Sequence, residues 1–223
     1  MSFRHFLDQA AQTGDLIEIN KPVSVQYELA NVAHALEGRP VLFNHIIDYP
    51  GWRVCAGPCS DRKYFSMDLN VPVPDLIPHL ANATEHPQTP PIVASGPCQE
   101  VVLEQFDLHD LPILFHLPQD GGHYIASNVV ITEDPELGRN MCYHRLLRLD
   151  GRRFAARIIE RRGTWNAMQK VEGDLPVAIC IGVSQAVHLA ASMSPAPDVD
   201  ELAVAHALAP TPLVKCLTNN LAV

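Results

Sequence analysis

Residues 120–149 read DGGHYIASNVVITEDPELGRNMCYHRLLRL, and this stretch decides the fold class. Ile125 to Thr132 and Met141 to Leu149 are rich in β-branched and apolar residues, and Asp134-Pro135-Glu136-Leu137-Gly138 between them carries turn chemistry. Asp150-Gly151 supplies a second turn, and Phe154 to Ile159 a third strand. Three consecutive strands joined by short turns predict an antiparallel sheet or barrel.

Helical and extended segments alternate upstream of this core. Phe3, Phe6, Leu7, Ala10 and Ala11 fall on one helical face, and Gly14 offers the left-handed residue that ends such a helix. Leu16 to Ile19 predicts a short strand broken at Pro22. Leu29, Val32, Ala33 and Leu36 predict a second helix closed by Gly38, and Val41 to Phe43 begins another strand. Seven prolines between positions 72 and 97 predict extended passages and short helical turns, hence a connector rather than core.

Downstream, Pro176 to Gly182 (PVAICIG) is a continuous apolar run of the kind found in strands covered on both faces. Ser184 to Met193 and Glu201 to Leu208 predict helices on either side of Pro195 and Pro197, and Leu213 to Cys216 predicts a last strand. The expected class is α+β, with an N-terminal α/β subdomain and proline-rich connector over 1–100 and a strand-rich domain over 101–223.

The formal net charge of −9 over 223 residues leaves no broad basic surface for a nucleic-acid backbone. Arg152, Arg153, Arg157, Arg161 and Arg162 form a local cluster that suits a small anion better than a duplex. The six cysteines include no CxxC pair, which fits ordinary reduced thiols. No apolar run reaches membrane-spanning length and no leader-like segment opens the chain, so a cytoplasmic location is expected.

The segment Asp120-Gly121-Gly122-His123-Tyr124-Ile125, continuing to Asp134-Pro135-Glu136 and Gly138-Arg139-Asn140, resembles the UbiD family's DGG-Y-I, DPE and G-x-N sequence. Leu175-Pro176-Val177-Ala178 with Ile181-Gly182, Pro197-Asp198 before Glu201, and Val214-Lys215-Cys216 before Asn219 recur in that family's order. The resemblance implies an FMN-binding split β-barrel that holds prenylated FMN, with a divalent metal (Mn or Mg) and potassium near its phosphate. It also implies decarboxylation of aromatic or α,β-unsaturated acids.

Carried onto this chain, the family pattern makes Asn140 and Glu201 the metal ligands and Arg145, on the same strand as Asn140, the catalytic residue. Cys142, Tyr143 and His144 would line the flavin, and Ser192 and Met193 would match a Ser-Met pair near the phosphate. Asn140 and Glu201 are hard oxygen donors suited to such a cation. Arg145 has the planar fork that grips a carboxylate by two hydrogen bonds.

Other readings of the same residues stand beside these. Asn140 after a glycine fits a turn or edge residue, Glu201 fits the first turn of a helix, Met193 fits core packing, and Arg145 fits a surface arginine. His116, His123 and His144 invite a zinc reading, but they lack HxxxH spacing.

Two features depart from the family. Its metal-binding His falls within Glu160-Arg161-Arg162-Gly163, where this chain has none. Arg161 or Arg162 is therefore expected to pair with the cofactor phosphate or with Glu201. The family's two catalytic carboxylates lie beyond the last residue, Val223, so a complementary chain or C-terminal half is expected to bring them. An oligomer or a complementary UbiD-like subunit follows, as does the alternative of a flavin-binding or subunit-stabilising module without chemistry.

Overall fold

β2 (Val41–Phe43) is the centre of the N-terminal part because its period-two alternation serves two faces. Val41 and Phe43 pack with Leu29 and the second helix, whereas Leu42 packs with Phe6, Leu7, Ala10 and Tyr64. In chain order the elements here are α1 (Phe3–Gln12), β1 (Ile17–Ile19), α2 (Glu28–Ala35), β2, β3 (Val54–Ala56), α3 (Arg62–Leu69) and α4 (Leu76–Glu85). β1 runs parallel to β2 and β3 antiparallel to it. Gly14 and Gly38 take φ of +74° and +93°, which a glycine adopts without steric cost at a helix end. The computed structural model describes residues 2–223.

The remaining elements are β4 (Ile92–Val93), β5 (Tyr124–Ile125), β6 (Val129–Asp134), β7 (Gly138–Cys142), β8 (Leu146–Arg148), β9 (Phe154–Ala156), α5 (Gly163–Lys170), β10 (Ala178–Cys180), α6 (Gln185–Ser192), α7 (Glu201–Leu208) and β11 (Leu213–Val214). They build a sheet of order β10-β6-β7, a second of order β5-β8-β9, and a parallel pair of β4 with β11. Helices α6 and α7 pack on β6 and β7 through Val129, Ile131, Met141, Ala190, Leu202 and Val204, the largest buried cluster. The architecture is mixed α+β, as expected.

Three expectations are corrected. The strands after residue 120 are antiparallel but form two sheets, because strand structure stops after Ile125 and resumes at Val129, and stops after Cys142 and resumes at Leu146. The proline-rich region is not merely a connector: Leu76 and Ala83 of α4 are buried in the main core. Pro78 is tolerated there because it is the third residue of α4, where a backbone N–H would have no intrahelical acceptor. The run PVAICIG yields β10, an edge strand; Ala178 and Cys180 face the core while Val177, Ile179 and Ile181 face outward. Covering on both faces belongs to β2 instead.

The β6–β7 hairpin is set by local chemistry. Asp134 Oδ1 accepts the N–H groups of Glu136 and Leu137 at 2.9 and 3.1 Å, and Gly138 takes φ of +82° where the loop rejoins the ladder. Lys170 of α5 closes over this turn, 2.9 Å from Asp134 and 2.8 Å from Glu136.

Candidate functional site

The β6–β7 ladder extends to Val130 opposite Cys142, and the β5–β8 ladder begins at Ile125 opposite Leu146. Tyr143, His144 and Arg145 lie between, at a corner where one long hairpin passes from sheet to sheet. Arg145 is thus not on the same strand as Asn140, because β7 ends at Cys142.

Each corner residue is anchored differently. The Tyr143 hydroxyl lies 2.7 Å from Nδ1 and 2.9 Å from the carbonyl oxygen of His188 on α6. His144 Nε2 lies 3.0 Å from the Thr164 hydroxyl on α5 and 3.3 Å from Cys142 Sγ. The carbonyl of Arg145 accepts the Arg157 N–H at 3.3 Å, which ties the corner to the residue after β9. The side chain of Arg145 is left exposed.

That side chain lines a cavity of about 630 Å³ shared with Arg157, His116, Asp120, Tyr124 and Leu147. The volume is in the range of ligand pockets. Two guanidiniums face one carboxylate, and Asp120 Oδ2 is already engaged by the Leu117 N–H at 3.0 Å. The wall therefore favours an anion. From the sequence Arg157 was read only within the arginine cluster, His116 only in the zinc reading, and Tyr124 only within the family motif. The signal for Arg157 was the arginine cluster, of which Arg153 is instead paired with Asp150 at 2.7 Å.

Asn140 and Glu201 are not among the residues that line this cavity. Glu201, at the start of α7, is 9% exposed and its Oε2 accepts the Met141 N–H at 3.0 Å. Burial pushes its carboxyl up to about 7, against the pull of that N–H. The Asn140 amide donates to Cys142 Sγ at 3.8 Å and lies flush on Gly163, where a Cβ would overlap its oxygen. Burial raises the Cys142 thiol above its usual value, so no reactive thiolate forms at neutral pH.

The remaining expected residues are dispersed. Ser192 donates to Leu189 O within its own helix at 2.7 Å, and Met193 packs on the main core, where its sulfur accepts from Thr84 at 3.6 Å. Arg161 has φ of +62° and is exposed. Among the described residues the ion pairs include none from Arg161 or Arg162 to Glu201, whose Oε2 accepts the Met141 N–H; the other partner expected for these arginines is the cofactor phosphate. Among the described residues no group of three or more His, Cys, Asp or Glu is placed to hold a metal ion. No helix among them is long and apolar enough to cross a membrane.

The family pattern described as 3-octaprenyl-4-hydroxybenzoate carboxy-lyase Rift-related domain (UbiD) matches residues 92–223, and the corresponding N-terminal domain pattern matches residues 7–84. Anhydromevalonate phosphate decarboxylase of Methanosarcina mazei is 32% identical over 96% of this chain and 50% of its own length. Pyrrole-2-carboxylic acid decarboxylase of Pseudomonas aeruginosa is 29% identical over 99% of this chain and 50% of its own. An evolved dimeric form of the UbiD-class enzyme HmfF from Pelotomaculum thermopropionicum, in complex with prFMN, superposes with a TM-score of 0.94 at 34% identity, covering all of this chain and 54% of that one. The chain spans about half the length of the curated relatives it matches.

Proposed function

Since this chain belongs to the UbiD family of carboxy-lyases, we propose that it is the cofactor-side part of a prenylated-FMN-dependent, non-oxidative decarboxylase of aromatic or α,β-unsaturated acids. The observation that carries this reading is the free guanidinium of Arg145, held at a fixed corner on the rim of a cavity that also presents Arg157. A carboxylate entering there meets a bidentate partner. Prenylated FMN, when bound, supplies the electron sink that loss of CO2 requires.

The residues fit a flavin ring in kind: Tyr124 offers an aromatic wall and Arg157 a positive charge beside it. Cys142, Tyr143 and His144 line the flavin in this reading, with Arg161, Ser192 and Met193 toward its phosphate. In the same reading residues 101–223 are the flavin-binding, split-barrel part and residues 1–100 the N-terminal part. Asn140 and Glu201 bring two hard oxygens, enough for a Mn or Mg ion only if phosphate and water complete its shell. Potassium has no donor set of its own among them.

A second reading, a flavin-binding module without chemistry, is favoured by one observation. Asp120 is the one carboxylate among the residues lining the cavity, so a second carboxylate to share the acid–base work is lacking there. A complementary chain or C-terminal portion supplies it in the first reading. The two are separated by following CO2 release from unsaturated acids after prenylated FMN is added, with and without that complementary part. Release only in its presence supports the enzyme reading; flavin binding without release in either case supports the module.

A further inference from the structure

A buried side chain spans the corner that carries Arg145. Asn128 is wholly buried, and its amide nitrogen donates to the carbonyls of Ile125 at 3.2 Å and of His144 at 2.8 Å. Both of its protons are thereby used, and two facing carbonyls fix which end of the amide is the nitrogen. Ile125 is the last residue of β5, and His144 lies in the unpaired stretch between β7 and β8.

The side chain thus stands in for ladder hydrogen bonds where the two sheets part. Its oxygen has no partner among the described residues, so what the position uses is the pair of donors. The anchors of Tyr143 and His144 described above act on side chains, and the Arg157 N–H reaches the Arg145 carbonyl only at the long distance of 3.3 Å. Asn128 holds the backbone one residue before Arg145.

We propose that Asn128 is a positioning residue for Arg145: it locks the sheet-to-sheet corner so that the guanidinium is presented to the cavity in one orientation. This rests on the reading of Arg145 as the ligand-contacting residue. Loss of the two donors removes one hydrogen bond from each carbonyl and frees the corner, and small displacements of a ligand-holding group are costly.

Hydrogen exchange of the full chain, compared between wild type and N128L, tests the lock. Amides of residues 143–146 are expected to exchange roughly tenfold faster in N128L, while residues 129–134 and 201–208 keep their protection. The dissociation constant for FMN, read by flavin fluorescence, rises roughly tenfold, and in an R145K background N128L adds less than about twofold. Unchanged exchange at 143–146, or an FMN effect of equal size in both backgrounds, overturns the proposal. If N128L does not fold, N128S, which keeps one donor, is put through the same comparison, and unchanged exchange in it overturns the proposal equally. If the corner loosens while wild type binds no FMN, the lock stands and the flavin reading falls.

Discussion

The Tyr143 hydroxyl contacts both Nδ1 and the carbonyl oxygen of His188, at 2.7 and 2.9 Å, with the two rings 5° from parallel. A hydroxyl has one proton, and a carbonyl can only accept. The hydroxyl therefore donates to the carbonyl and receives the Nδ1 proton, which assigns His188 the Nδ1–H tautomer. Y143F is expected to cost about 1–3 kcal/mol, because the half-buried Nδ1–H of His188 loses its partner and the His188 carbonyl loses a second hydrogen bond. Chemical denaturation measures that cost, and 15N shifts of the His188 ring report the tautomer.

The same residue predicts an acid dependence. Burial holds His188 below its ordinary value of 6.5. A depressed folded pKa means that the unfolded chain binds the extra proton, so the stability at stake is complete above pH 6.5 and is lost as pH falls toward the folded value. Denaturation midpoints of wild type should drop between pH 7 and pH 5 by more than those of H188Q. Equal drops would remove His188 from the account.

Asp134 titrates lower still. Burial, the largest influence, raises its carboxyl, but the Lys170 ammonium and the N–H groups of Glu136 and Leu137 together outweigh it and hold it below 3.8. Its contribution is present above that pH and lost as pH falls through the folded value. D134A is expected to lose about 1–3 kcal/mol at pH 7, since two turn N–H groups and Lys170 lose one acceptor. Urea midpoints at pH 7 and pH 3 check this, with the difference from wild type shrinking at the lower pH.

Arg145 should matter for binding and not for folding. Its side chain is exposed, so R145K should change stability by less than about 0.5 kcal/mol. CO2 release by the completed enzyme should fall by roughly a hundredfold, because a single ammonium cannot reproduce the planar two-point grip. Thermal unfolding beside turnover measures both.

Gly163 separates the two effects in the same direction. A side chain there must displace the Asn140 amide, whereas alanine at the first position of α5 is no worse for the helix than glycine. G163A should keep its melting temperature while FMN binding weakens roughly tenfold, about 1.4 kcal/mol. Parallel calorimetry and flavin titration test the split.

Much of this was legible in the residues because it is local. The stripe Phe6, Leu7, Ala10 fixed α1, Asp134 to Gly138 fixed the hairpin, and Glu201 to Leu208 gave α7 to the residue. What escaped was non-local. Nothing near Pro78 says that α4 will be needed to cover α7, and nothing in Ile179 says that its strand lies at an edge. The sheet change at Tyr143 to Arg145 was hidden for the same reason, since a strand-like segment with no Gly or Pro in it looks alike whether it pairs with one partner or two. Arg145 could be named from its motif, but the cavity partners Arg157, His116 and Tyr124 come from three separate segments that only the fold assembles.

The direct test of the account is a crystal structure of the full chain grown with prenylated FMN. The isoalloxazine should lie in the Arg145 cavity with its phosphate toward Asn140 and Glu201, and Arg145 should contact the ligand face. Flavin bound elsewhere on the chain, or an empty cavity at saturating flavin, would contradict it.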